Sequence, residues 1–213
     1  MPIYIPDSSK VLREVNPIMV TTADNVSREI AEGWYTGSDN VSRLIYQNKT
    51  ILLENGQVNS ELFNGIGYQT YGITQKEERD HEIYIYAERG GGSEGFVQGY
   101  FIPNGSLSVA EQKEFFYNLY KGRRKICFDV DTTSDLPTLP TRCFSWMAIG
   151  NSADGNAVRE ARKSDASFSG IVEINIAGIT IDDLDTSYQL MFGVYSSSED
   201  DGASLTIRNV WIE

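Results

Sequence analysis

VTTADNVSREIA (20–31) and YTGSDNVSRLIY (35–46) are two copies of one unit, fifteen residues apart. They match at Thr21/Thr36, Asp24/Asp39, Asn25/Asn40, Val26/Val41, Ser27/Ser42, Arg28/Arg43 and Ile30/Ile45. A fainter third copy, KVLREV (10–15), places Val11, Arg13, Glu14 and Val15 fifteen residues before Val26, Arg28, Glu29 and Ile30. Fixed-period self-similarity dictates how a segment packs. Fifteen residues are too few for a helical solenoid repeat and suit a strand, a turn and a strand. The Asp-Asn letters favour a turn, and the β-branched residues around them favour extension. Residues 1–58 therefore read as a small β-meander of repeats, which buries little by itself and suits an attachment device.

Outward from the repeats, QNKTILLENGQVNSELFNG (47–65) holds a short apolar strand at 50–53 and an Asn55-Gly56 turn, and the boundary falls near Val58. Residues 59–213 then read as strand after strand. HEIYIYAER (81–89) alternates Ile83 and Ile85 with Tyr84 and Tyr86, and FVQGYFIP (96–103) follows GGGSEG (90–95) as its expected hairpin partner. KICFDVDTT (125–133), RCFSWMAIG (142–150), SGIVEINIAG (169–178), YQLMFGVYSS (188–197) and SLTIRNVWIE (204–213) complete the set. Many short strands between turn signals predict an antiparallel β-sandwich, jelly-roll-like, with one helix. That helix is announced by the Ser108/Glu111 capping box and closed by Gly122, with Val109, Phe115, Phe116 and Leu119 on one broad face. In the last strand Leu205 and Ile207 keep one parity while Val210 and Ile212 keep the other. Either both faces are buried or a bulge sits at Arg208-Asn209.

Composition bounds the function. The 213 residues carry a net charge of -12, with 18 Lys and Arg against 30 Asp and Glu, which argues against a nucleic-acid partner. No apolar run approaches the ~20 residues that span a bilayer, so no membrane partner is expected. The opening MPIYIPDSSK lacks a basic n-region and an apolar h-region, so the expectation is a protein made and folded in a cytoplasm. Cys127 and Cys143, the only cysteines, then read as buried thiols.

The units DNVSREIAEGWYTGSDNVSRLIY (24–46) resemble the tandem N-terminal repeats of minor structural and tail-associated proteins of tailed bacteriophages and prophages. The matching positions are Val26 and Arg28, then Trp34, Tyr35 and Gly37, then Val41 and Arg43, with Ser27 and Ser42 where alanine is usual. ELFNGIGYQ (61–69), YQLMFGVYSS and SLTIRNVWIE are similar to the jelly-roll, carbohydrate-binding-module-like domain that often follows such repeats. The resemblance implies a virion structural protein with no enzymatic activity, placed on the head, tail or baseplate. Val26, Arg28, Trp34, Tyr35, Val41 and Arg43 would dock it to other virion proteins or to copies of itself in a homo-oligomer. Deletion of 1–58 is expected to leave a folded sandwich.

A rival reading is a free carbohydrate-binding adhesin that holds surface glycan, and the aromatic candidates for it are Tyr68, Tyr71, Trp146 and Tyr188. Trp146 sits in an apolar run and reads first as core. A glycan-active enzyme ranks last. His81 lies between Asp80 and Glu82 at a strand start, where a solvated histidine is the favoured reading, and no G-x-S-x-G elbow is present. GGGSEG lacks the G-K-[ST] ending of a phosphate loop. Three acidic clusters, Asp129/Asp131/Asp135, Asp182/Asp183/Asp185 and Glu199/Asp200/Asp201, offer oxygens of the kind structural calcium takes. None has EF-hand spacing, solvated loops are favoured, and no cofactor is expected.

Overall fold

The computed structural model describes residues 49–92, 94–150, 159–184, 190–198 and 200–213, together with the backbone of six strands within 3–47. The chain divides into two compact units, 1–50 with residue 213, and 51–212. In the first unit β1 (Ile3–Pro6) pairs with β2 (Leu12–Val15), β3 (Met19–Thr21) with β4 (Ser27–Glu29), and β5 (Glu32–Thr36) with β6 (Ser42–Gln47). Each fifteen-residue unit thus supplies two antiparallel strands. Val26 and Val41, named above as docking residues, lie outside the described residues.

The second unit is a sandwich of two antiparallel sheets. One is ordered β10 (Ile73–Arg79), β11 (Glu82–Glu88), β18 (Gly202–Ile212), β13 (Lys125–Ser134), β16 (Ser167–Asn175). To β18 is added β7 (Thr50–Glu54), which carries β8 (Gln57–Val58). The other is ordered β15 (Arg159–Lys163), β14 (Cys143–Ile149), β17 (Met191–Ser196), β12 (Gly95–Pro103), β9 (Phe63–Tyr71). Period-two alternation delivers the core. Ile83, Ile85, Phe128, Val130, Val172, Ile174, Leu205 and Ile207 from the first sheet meet Val97, Phe101, Met147, Ile149, Phe192 and Val194 from the second, all buried. Cys143 faces this core. Cys127 alternates with the core-facing Ile126 and Phe128, so it stands on the far face of its own sheet, and both are free thiols.

The one α-helix among the described residues, α1 (Val109–Tyr120), starts where the capping box placed it. The Ser108 hydroxyl accepts from the Glu111 N–H at 3.4 Å, and the Glu111 carboxylate accepts from the Ser108 N–H at 2.8 Å. Phe115, Phe116 and Leu119 of the expected face pack on the core, and only Val109 departs from it. Phe116 and Tyr120, one turn apart, are buried, while Val109 is exposed. Val109 is the first helical residue, ahead of the turns that reach the sandwich. Phe115 and Phe116 pack against Phe63, which in turn meets Phe101 edge-on at 5.1 Å, so α1 covers one end of the sandwich.

Three other expectations meet a different or sharper outcome. The bulge is real: Asp129 pairs with Asn209 and Val130 with Ile207, which leaves Arg208 as the extra residue and returns Val210 and Ile212 to the core side. The hairpin of 81–89 with 96–103 does not form. The two edges of β11 are taken by β10 and β18, and GGGSEG instead carries the chain across to the other sheet. A Cβ at Gly95 would fall 2.0 Å from the Glu88 carbonyl oxygen, so only glycine permits so close a crossing. Finally, the sandwich begins at Ile51 rather than at 59. Leu52 and Leu53 are fully buried, the Asn55 N–H donates to Asn209 Oδ1 at 3.0 Å, and the Gly56 N–H donates to the Arg208 carbonyl at 2.9 Å. The Asn55-Gly56 turn is therefore seated on the bulge.

Candidate functional site

The outer face of the five-stranded sheet carries what its inner face does not need. On β12, Val97, Gly99 and Phe101 point to the core, so Phe96, Gln98, Tyr100 and Ile102 share the outer face. The ladders align these with residues of three other strands. Phe144 pairs with Tyr195, Tyr195 with Phe96, and Phe96 with Tyr71, which makes a row of four aromatics across β14, β17, β12 and β9. Phe144 and Tyr195 lie 5.2 Å apart between centroids, and Phe96 and Tyr71 stack at 6.2 Å. The Arg162 guanidinium sits over the Phe144 ring at 4.6 Å, closing one end of the row. At the other end Tyr71 is 49% exposed.

The next row is polar in its backbone neighbours and in two carboxamides: Arg162, Trp146, Gly193, Gln98, Gln69. The Trp146 indole lies flat over Gly193, where a Cβ would come within 2.5 Å of the ring. The Tyr100 ring lies in the same way over Gly67 in the following row. Small residues at these two points let the rings lie down on the sheet. Trp146 is 5% exposed and joins Phe144, Ala148 and Met191 in a second apolar cluster, separate from the core between the sheets, with Tyr100 and Tyr195 packed on it. Within that cluster Gln98 is 1% exposed. Its Nε2 donates only to the Met191 sulfur, at 3.2 Å, and its Oε1 has no partner. A thioether is a weak acceptor, so the carboxamide is poorly satisfied whichever way it is turned. An unmet buried acceptor costs about 1–3 kcal/mol. Burial raises the Tyr195 phenol pKa above its ordinary value, and the Glu94 carboxylate adds to that. Tyr195 is therefore a neutral hydroxyl at physiological pH.

Of the four aromatic candidates, Trp146 and Tyr71 fall on this face, one row apart. Tyr68 does not: it pairs with Gly99, packs on the core between the sheets, and carries Lys76 Nζ over its ring at 4.6 Å. Tyr188 lies outside the described residues. Phe96, Gln98, Tyr100, Phe144 and Tyr195 were not singled out. Their alternation is visible within FVQGYFIP and YQLMFGVYSS, but the row exists only through ladders between strands up to about a hundred residues apart.

Five residues of the acidic clusters are used by the fold. Arg208 at the bulge donates to Asp131 at 2.5 and 3.1 Å and to Asp129 at 3.0 Å, and Asn209 Nδ2 donates to Asp129 at 3.0 Å. The guanidinium holds the Asp131 carboxyl below its ordinary range. Asp135 accepts from the Gly202 N–H, Asp183 caps Thr180, and Asp201 accepts from the Ser198 hydroxyl. Asp185 and Glu199 lie outside the described residues. His81 occupies the tight turn between β10 and β11 with φ of 71°, a backbone role.

Strand pairing and core define a mainly β, two-sheet antiparallel sandwich bearing one aromatic outer face. No family model matches the chain, and no curated protein does. Among solved structures, one titled PfGH50B is similar over 70% of this chain and 23% of that one, at 7% identity and a TM-score of 0.37. The chain thus spans under a quarter of that protein. A family 11 carbohydrate-binding module from Clostridium thermocellum, in complex with a β-1,3-1,4-mixed-linked tetrasaccharide, is similar over 77% of this chain and 94% of that one. Its identity is 11% and its TM-score 0.35. At these TM-scores neither likeness carries an argument, and the sandwich rests on its own ladders and core.

Proposed function

We propose that the sandwich is a non-catalytic recognition module that binds glycan on the outer face of its five-stranded sheet. The observation that carries this reading is the row Phe144, Tyr195, Phe96, Tyr71 laid across four strands of that outer face. A sugar ring offers C–H bonds on its faces and hydroxyls around its rim. Aromatic rings take the first, and the neutral Tyr195 hydroxyl beside the row takes the second. Strands stand ~4.8 Å apart, so the accessible part of the row, Tyr195 to Tyr71, extends over roughly 10 Å, which suits more than one sugar. The test is affinity electrophoresis of the full chain in gels containing soluble β-glucans, xylan, mannan or mucin. Retardation in at least one of them is expected. Tyr71→Ala and Phe96→Ala should each weaken that binding about tenfold, the equivalent of ~1.4 kcal/mol. Unretarded migration in every gel, or retardation indifferent to both substitutions, would sink the reading.

The repeats favour a second reading that is compatible with the first. In it the chain is a structural component of a tailed-phage particle, docked through residues of the hairpins such as Arg28, Trp34, Tyr35 and Arg43. What supports it is the repeat resemblance, together with the common register of the three hairpins described next.

A further inference from the structure

The three hairpins share one register at the fifteen-residue period. Pro6 pairs with Leu12, Thr21 with Ser27 and Thr36 with Ser42. Ile5 pairs with Arg13, Val20 with Arg28 and Tyr35 with Arg43. Tyr4 pairs with Glu14, Met19 with Glu29 and Trp34 with Leu44. Only the third hairpin departs from the common pattern, by an irregularity between Gly33 and Trp34 beyond these pairs. Residues paired across antiparallel strands share a face, and neighbours along a strand alternate. One face of every hairpin therefore carries an arginine position opposite an apolar one. The other face carries Tyr4 with Glu14, Met19 with Glu29, and Trp34 with Leu44. In the first two hairpins basic and acidic positions are segregated to opposite faces, and the third keeps the arginine position while Leu44 stands where the others have glutamate.

A two-stranded hairpin is at best marginally stable alone in water, and it leaves both strand edges unpaired. The repeats form three separate two-stranded sheets. Such hairpins gain stability from whatever adds to them. A partner that engages several hairpins must offer acidic groups to the arginine position that each of them repeats. A second copy of this chain meets the requirement without further design. It has the same period, and its acidic faces complement the arginine faces of the first.

We propose that residues 3–47 are a self-association element, in which the arginine faces of one copy meet the Glu14 and Glu29 faces of another. Opposite faces of one hairpin cannot both meet the same neighbouring hairpin, so stacking through them is heterologous and closes as a ring of at least three copies or continues as a filament. This inference does not rest on the glycan reading. The two meet in function, because several copies of a weak glycan site on one assembly gain avidity.

The test is the mass of the full chain in sedimentation velocity, in low salt and in high salt. A mass of at least three 23.8 kDa chains is expected, falling as salt screens the charged faces. The variant Arg13→Glu, Arg28→Glu, Arg43→Glu should sediment as a monomer, with the thermal transition of the sandwich unmoved. The variant Glu14→Arg, Glu29→Arg should also be monomeric, and mixing the two should restore a large species, since each supplies the face the other has reversed. That rescue separates lost complementarity from lost hairpin structure. A wild-type chain monomeric at its highest soluble concentration, a dimer only, an arginine variant that keeps its mass, or a mixture that stays monomeric would each overturn the proposal. A wild-type chain that stays monomeric until a foreign protein is added would overturn it in favour of that partner.

Discussion

Arg208 is where a register accident became a structural device. The bulge expels it from the alternation of β18, and the two carboxylates it meets, Asp129 and Asp131, are neighbours on one face of β13. The ion pairs are part-exposed, with side chains 30%, 26% and 44% accessible, so screening keeps their contribution modest. Removing the cation also leaves two carboxylates on one face without it. Arg208→Met should therefore lower stability to urea by about 1–2 kcal/mol, read as a shift in midpoint at constant slope. The pH response follows from Asp131, whose folded pKa is held below its ordinary 3.8 by Arg208. A depressed folded pKa stabilises the protein above the unfolded value, and that gain is lost as pH falls through the folded one. The wild-type melting temperature should thus fall below about pH 4, and the Arg208→Met variant should show a flatter acid limb. An acid limb identical in the two proteins would remove Arg208 from the account.

At the scale of elements, α1 and the aromatic row show local and non-local causes at work. The start of α1 is a short-range matter, because Ser108 and Glu111 satisfy each other's backbone N–H groups whatever lies around them. Which of its faces is buried is not. Phe116 and Tyr120 are fully buried only because Phe63, at the start of β9, reaches the same end of the sandwich. Ser108→Ala should cost about 1 kcal/mol, and Phe116→Ala, which empties a packed site, about 3–5 kcal/mol. Urea unfolding of both variants checks this, and equal losses would mean that α1 is held by its cap rather than by its packing. The aromatic row depends on four strands in register. A shift of one residue in β12 would exchange Phe96, Gln98 and Tyr100 for Val97 and Phe101, and the face would be lost to the core.

For the whole molecule, the question is where the sandwich begins. Residues 50–58 looked like a transition because their one short apolar run ends at an Asn-Gly turn. In the structure they are β7 and β8, with Leu52 and Leu53 inside the core and the turn hydrogen-bonded to β18. A chain starting at residue 50 should fold with the thermal transition of the full-length sandwich. One starting at residue 59 loses both buried leucines and a strand, and should unfold several kcal/mol more easily, since each buried leucine contributes about 2–5 kcal/mol. Equal melting temperatures for the two truncations would return the boundary to residue 58.

What the sequence determined by itself is what short-range chemistry controls. The fifteen-residue period implied equivalent strand pairs, because like sequences at like spacing pair alike. Alternation within runs such as HEIYIYAER and KICFDVDTT marked two-sided strands. The capping box marked the helix, and the parity change after Ile207 left a bulge as one of two outcomes. Only the tertiary structure decided which strands are neighbours, since backbone ladders carry no side-chain signature. That is why 81–89 and 96–103 looked like a hairpin although they lie in opposite sheets, and why Tyr68 and Tyr71 looked equivalent. Three positions apart on β9, they fall on opposite faces, Tyr68 on the core and Tyr71 at the open end of an aromatic row. Gln98 could not be read as a site residue at all. Its unmet oxygen is a property of the rings and the sulfur that surround it, and those come from strands far away along the chain.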